Sequence, residues 1–280
     1  MTSPPSPDRV VRRSVSHEDS VRAVRSWWDA EAEEYYSEHG AFLGDRALTW
    51  GPEGWTEDDL RLLGTVRGKD VLEVGAGAGQ GARWCAAQGA RAVATDLSAG
   101  MLRVGRRLDD VTPAPGMPSG RPSGYVQCDG ARLPFADASF DVVLTAHGVL
   151  SFVPDLDGAL RDWMRVLRIG GRCVFSLSHP VRWAFPDVPG EEGLRVTHSY
   201  FDRRAYVEET GSGLATYTEH HRTVGDLVRA VVGSGLTLLD LVEPEWPTGR
   251  DHVWGGWSRL RGERIPGTLI VVAERRGLGA

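Results

Sequence analysis

From Lys69 onward the chain alternates short apolar runs with stretches whose apolar residues recur three and four positions apart, so strands and amphipathic helices are expected in turn. The runs Val71–Val74, Ala92–Thr95, Tyr125–Gln127, Asp141–Thr145, Arg172–Leu177, Leu236–Val242 and Thr268–Ala273 read as strands. Two helical stripes stand out between them: Leu156, Leu160, Trp163 and Leu167, then Val224, Leu227, Val228, Val231 and Val232. Gly170-Gly171 is placed to end the first of these helices. The alternation predicts a parallel α/β sheet.

Ahead of Lys69 the pattern differs. Val21, Val24 and Trp28 form a helical face, followed by the acidic DAEAEEYYSEHGAF, so residues 18–68 are expected to be a helical cap. Residues 1–17, rich in Pro, Ser and Arg, read as a disordered terminus. Residues 69–280 are expected to form the main domain, interrupted by a Pro/Gly/Ser loop over 111–124 and a lid-like insert over about 180–222.

Composition narrows the class. With 280 residues, 41% hydrophobic and 25% charged, the chain can bury a substantial core, and no apolar run approaches the roughly 20 residues needed to cross a bilayer. The N-terminus lacks a secretory pattern, so a cytoplasmic protein is expected. Cys85, Cys128 and Cys173 lie too far apart for a disulfide framework or a zinc site, and no metal is expected. The net charge of −6 disfavours a nucleic-acid partner.

The candidate chemistry begins where the first strand runs into glycines: Val71-Leu72-Glu73-Val74-Gly75-Ala76-Gly77-Ala78-Gly79-Gln80. In an open parallel sheet this is the ligand site, at the carboxyl ends of the strands. A tight turn would need only one of the three glycines. Read from Gly77, the loop also satisfies the dinucleotide pattern G-x-G-x-x-G/A, and Asp96, at the end of the second strand, suits ribose hydroxyls in either case. Glu73 separates the two readings. Its carboxylate would repel a pyrophosphate at the helix N-terminus but suits S-adenosylmethionine, which carries a sulfonium and an ammonium. Alternatively, Glu73 is a strand-end acid capping loop amides.

The segments LEVGAGAGQ, ATDLSAGML, CDGARLPFADASFDVVLTAHGVLSFV and LRDWMRVLRIGGRCVFSLSHP, in that order, resemble the class I S-adenosylmethionine-dependent methyltransferases of the UbiE-like, type 11 group. The resemblance implies an α/β, Rossmann-like seven-stranded class I methyltransferase sheet with strand order 3-2-1-4-5-7-6, S-adenosylmethionine as cofactor and a small-molecule methyl acceptor. It places Gly75, Gly77 and Gly79, followed by Gln80, against the aminoacyl and ribose part. Asp96 would hold the ribose hydroxyls, Leu97 and Met101 would flank the adenine, Asp129 would accept from its amino group, and Gly130 would leave room for the ring. Met101 also reads as core, and Asp129 as a helix N-cap.

For the acceptor side, His147 follows the fourth strand and His179 ends the fifth, which makes them the expected catalytic pair; each also has a purely packing reading. Tyr35, Tyr36 and His39 are further pocket candidates. Eight of the ten tryptophans lie outside the Lys69–Pro180 region, on segments expected to cover the site, which suits an aromatic-lined pocket for a small molecule. The segment TAHGVLSF after the fourth strand is not the [DN]-P-P-[YF] of base-modifying enzymes. An RNA or protein acceptor, a nicotinamide-dependent oxidoreductase and a non-catalytic binding module are the alternatives.

Overall fold

The computed structural model describes residues 7–111 and 122–277. The chain order is β1 (Arg9–Arg13), α1 (His17–Leu43), α2 (Glu57–Leu60), β2 (Asp70–Val74), α3 (Gln80–Ala87), β3 (Arg91–Asp96), α4 (Ala99–Val111), β4 (Gly124–Gln127), β5 (Phe140–Thr145), α5 (Val149–Phe152), α6 (Leu156–Val166) and β6 (Leu167–Ser178). After two 3₁₀ turns come β7 (Ala205–Glu209), β8 (Ala215–Glu219), α7 (Val224–Gly233), β9 (Leu236–Val242), α8 (Arg259–Gly262) and β10 (Thr268–Arg275).

Seven strands form one sheet in the order β4-β3-β2-β5-β6-β10-β9, with β10 antiparallel to both neighbours. Counting only those strands, this is 3-2-1-4-5-7-6, as expected. The sheet is buried on both faces, which is why its central strands read as continuous apolar runs. Successive residues of β2 supply opposite cores: Leu72 and Val74 join Val143, Trp163 and Phe175, whereas Val71 joins Trp50, Trp84, Leu144 and Val174.

Helix α1 is capped by Ser16, whose hydroxyl accepts from Asp19 N at 3.1 Å. It docks on α4 through Asp29, whose Oδ1 accepts from Ser98 Oγ at 2.7 Å and Gly100 N at 2.8 Å. On another face it meets β8, where Ser20 Oγ lies 2.7 Å from Thr218 Oγ1 and 3.0 Å from His220 Nε2. Cap and lid are therefore joined across the end of the sheet that carries the glycine loop.

Three boundaries differ from the sequence-based expectation. Residues 9–13, expected within a disordered terminus, form β1 and pair antiparallel with β7, from Arg9 opposite Glu209 to Arg13 opposite Ala205. Val11 packs on Ala205, Val207 and Ala215, and the buried Glu209 accepts from Arg9 and Arg13, each at 2.8 Å. Residues 1–6 lie outside the described residues, as does most of the expected loop over 111–124. Second, the helical cap over 18–68 is helical chiefly to Leu43; Leu48, Trp50, Leu63 and Val66 are fully buried in the sheet's own core, so no domain boundary falls at 69. Third, Gly170-Gly171 does not end α6. That helix stops at Val166, and Gly170, with φ +77°, turns the chain within β6.

Candidate active site

All three glycines of the loop are left-handed, with φ of +62° at Gly75, +54° at Gly77 and +78° at Gly79. A tight turn needing one glycine does not describe this loop, because a side chain would strain each position. Two loop amides are tied to β3: Ala76 N donates to Thr95 O at 2.7 Å, and Gly77 N to Asp96 Oδ2 at 2.8 Å. The other Asp96 oxygen accepts from Ser98 N at 2.8 Å, and desolvation pushes its carboxyl up to about 6. Free lone pairs on both oxygens leave Asp96 able to accept from a ligand's hydroxyls as well.

Glu73 is buried, and its Oε2 accepts from Ala82 N, in the first turn of α3, at 2.6 Å. Burial pushes this carboxyl up to about 8. The capping reading of Glu73 thus describes its contact, and Glu73 also lines the cavity beside the loop. A pyrophosphate would meet a carboxylic group where the dinucleotide pattern requires free helix amides.

One cavity of about 360 Å³ gathers Glu73, Gly75, Gly77, Gln80, Asp96, Leu97, Met101, Asp129 and Gly130. Gly79 is not in its lining; a Cβ there would approach Tyr125 at 3.0 Å, behind the loop. Met101 serves both readings, lining the cavity while packing on Ala32, Ala78 and Val104. Asp129 caps a turn through Ala131 N at 2.9 Å, not a helix, and its Oδ2 lies 2.8 Å from His17 Nε2. His17, which sequence reasoning missed, carries no signal in the chain beyond following the α1 cap residue; only the fold brings it to Asp129.

The cavity is walled as well by α1 and by later loops. Val21, Val24, Trp28, Tyr35 and Tyr36 face it from α1, with Phe152, Trp254 and Trp257. The expected tryptophan cover is thereby reduced to three: Trp27, Trp50, Trp55, Trp183 and Trp246 lie elsewhere. His39 is also absent from the lining and stacks on Trp254, with ring centroids 4.3 Å apart.

The expected histidine pair is not formed. His147 lines the cavity, its Nε2 is 3.2 Å from Ser178 Oγ, and burial pushes it down to about 4, so the imidazole is neutral at ordinary pH. His179 is outside the lining. Its Nδ1 accepts from Val181 N at 3.1 Å, capping the turn that follows β6, and its Nε2 lies 2.8 Å from Glu243 Oε1. Alternation along β6 explains the exchange, since consecutive strand-end residues project to opposite sides. Ser178 therefore occupies the position assigned to His179. Among the described residues no group of three or more His, Cys, Asp or Glu is placed to hold a metal, and no helix is long and apolar enough to cross a membrane.

Comparison with known proteins agrees with this geometry. Residues 72–175 match the type 11 "Methyltransferase domain" family. The chain is 34% identical to a demethylmenaquinone methyltransferase of Thermobifida fusca over 55% of this chain and 62% of that protein. It is 32% identical to a demethylmenaquinone methyltransferase of Corynebacterium urealyticum over 65% of this chain and 71% of the relative. Among solved structures, an S-adenosylmethionine-dependent methyltransferase from Mesorhizobium loti superposes with a TM-score of 0.59 at 27% identity, covering 77% of this chain and 95% of that one. The chain belongs to the class I S-adenosylmethionine-dependent methyltransferases, in the type 11 methyltransferase-domain group. The match spans a little under two thirds of the Thermobifida fusca relative.

Asp96→Ala is expected to weaken S-adenosylhomocysteine binding by about 1.5–3 kcal/mol, the scale of hydrogen bonds to a charged group. The same change frees the amides of Gly77 and Ser98, so the loss should fall toward the upper end. Wild-type affinity should decline as pH drops below about 6, where Asp96 takes up a proton and loses acceptor capacity. Titration calorimetry of the folded variant, and of the wild type at pH 5 and 8, checks both; unchanged affinity would displace Asp96 from the site.

Proposed function

We propose that this methyltransferase acts on a small organic acceptor held against the aromatic walls of the cavity, releasing S-adenosylhomocysteine. The observation that carries the reading is one cavity of about 360 Å³ walled by the glycine loop, α1 and the loops bearing Trp254 and Trp257. Such a volume suits a small ligand, whereas a nucleic-acid strand calls for an open basic groove. Among the described lining residues Arg182 is the single Lys or Arg, against Asp96, Asp129, Asp187 and Glu219.

The residues fit the cofactor. Gly75 and Gly77 leave the loop backbone bare for the aminoacyl and ribose part, with Gln80 beside them. Asp96 holds the ribose hydroxyls, Leu97 and Met101 flank the adenine, and Asp129 beside Gly130 accepts from its amino group. The acidic lining favours a sulfonium and an ammonium. Bound S-adenosylmethionine supplies the electrophilic methyl and a good leaving group. The chain's own task is to align the acceptor and exclude water, which by effective molarity alone removes much of the barrier. His147 is the one histidine among the described lining residues, and its neutral ring offers the acceptor a hydrogen-bonding nitrogen.

The curated relatives are named for demethylmenaquinone, which supports a ring-bearing small acceptor here. The family match over 72–175 leaves out α1, Arg182, Glu219 and Trp254, which line the cavity, so acceptor identity rests with these walls. To test the reading, purified protein is incubated with S-adenosylmethionine and a panel of quinols, phenols and small amines, with transfer RNA and bulk protein in parallel. Mass spectrometry should show S-adenosylhomocysteine and a methylated small molecule. Methylation confined to RNA or protein would overturn it.

A further inference from the structure

We infer that His17, the first residue of α1, is a positioning residue for cofactor selection: it holds the Asp129 carboxylate in the orientation that accepts from the adenine amino group. The inference rests on the placement of the adenine at Asp129 proposed above and adds the group that sets that acceptor. Asp129 lines the cavity and His17 does not, so His17 acts through Asp129 and not on the ligand.

Local structure fixes where the His17 ring stands. Ser16 caps α1, so the helix begins at His17, and just upstream β1 is paired with β7. One turn further on, Ser20 Oγ meets Thr218 Oγ1 and His220 Nε2. The start of α1 is thereby held on both sides of His17. His17 and Val21 are four residues apart and share a face of the helix, and Val21 lines the cavity. That face delivers the ring to Asp129, with Nε2 2.8 Å from Oδ2.

The chemistry of the contact sets what it does. A carboxylate only accepts, so Nε2 is the donor here. Ala131 N donates to the other oxygen at 2.9 Å, and with a donor on each oxygen the plane of the carboxylate is fixed. A carboxylate offers roughly four acceptor positions, so each Asp129 oxygen keeps a lone pair for the ligand while holding its protein donor. Without His17, Oδ2 loses that donor and the group is free to turn about Cβ–Cγ, a torsion with broad wells. An acceptor set in place before the ligand arrives costs less to order on binding. The same helix also supports Asp96, less directly: Asp29 Oδ1 accepts from Ser98 Oγ at 2.7 Å, and Ser98 N donates to Asp96 Oδ1 at 2.8 Å. Seating of α1 is thus tied to both acids that hold the adenosine, and at Asp129 the tie is a direct side-chain contact.

The test compares S-adenosylhomocysteine with S-inosylhomocysteine, in which a carbonyl oxygen replaces the amino group, by titration calorimetry on the wild type, His17→Ala, His17→Gln and Asp129→Ala. The wild type should prefer the adenosyl ligand by about tenfold or more, and Asp129→Ala should lower that preference below about threefold. His17→Ala should lower it by about threefold or more from the wild-type value, and His17→Gln, whose amide N–H can donate to the same oxygen, should restore it to within about twofold. The readout is the ratio between the two ligands, because looser packing of α1 would weaken both alike and leave the ratio where it was. A wild-type ratio in His17→Ala, or a lowered ratio that His17→Gln does not restore, would overturn the inference while the placement of the adenine at Asp129 stands. A wild type without the preference, or a full preference in Asp129→Ala, would overturn that placement and the inference with it.

Discussion

Gly75→Ala is expected to lower folding stability by about 2–5 kcal/mol and to weaken S-adenosylhomocysteine binding at least tenfold. Two costs add at this position. The backbone φ of +62° is left-handed, which costs a residue with a Cβ roughly 1–2 kcal/mol. The new methyl would also fall inside Val149 Cγ2, and overpacking of this kind costs about 1–3 kcal/mol. Val149 cannot swing aside easily, because a β-branched side chain in a helix has one strongly preferred rotamer. Gly77→Ala provides the internal control. Its φ is similar, at +54°, but the nearest atom to its Cβ would be the flexible Met101 Cε at 3.2 Å, so only the backbone cost is expected. Urea unfolding of both variants separates the contributions; equal losses at 75 and 77 would show that contact with Val149 is not what requires glycine at 75.

Arg83→Met is expected to cost about 3–5 kcal/mol, the range for stripping the partner from a buried charge. Arg83 is fully buried on α3 behind the glycine loop. Its guanidinium donates to Asp45 O at 2.7 Å, Tyr125 OH at 3.1 Å, Asp109 Oδ1 at 3.2 Å and Gly105 O at 3.3 Å, joining the segment after α1, α4 and β4. Removing it leaves Asp109 buried without that partner. The double variant Arg83→Met/Asp109→Asn should recover part of the loss, because the uncompensated charge is then gone. Urea unfolding measures this, and no recovery in the double variant would mean that the backbone acceptors, not the ion pair, dominate. Cofactor affinity should fall in Arg83→Met as well, since Tyr125 and α4 support the loop from behind.

What was legible in the chain follows from the range of the signals. The strands of the sheet were readable because their apolar runs are local, and the central strands, buried on both faces, keep no polar alternation to blur them. The glycine loop and Asp96 were readable for a related reason: a strand feeding a left-handed glycine turn is a short-range backbone requirement. The stripe Val21, Val24, Trp28 was visible as a helical face, but its destination, the cavity, was not. Gly170 shows the opposite case, a helix-ending signal that the buried Leu167 and the immediate start of β6 overrode.

The rest depended on contacts between residues far apart in the chain. Strand β1 has no strong pattern of its own and exists because β7 offers an open edge and Glu209 gathers two arginines. His17 reaches Asp129 across 112 positions. The exchange of His179 for Ser178 turns on a single-residue alternation at a strand end, which composition cannot express. The amino-acid sequence by itself determined the strands and the bare loop at their carboxyl edge, because these rest on periodicity and on backbone freedom within a few residues, while the strand order and the class of cofactor were implied by its resemblance to the type 11 methyltransferases. Only the tertiary structure decided which side chains enclose the acceptor, because that depends on where the cap and lid come to rest on each other, and their mutual burial is encoded in no local stretch of the chain.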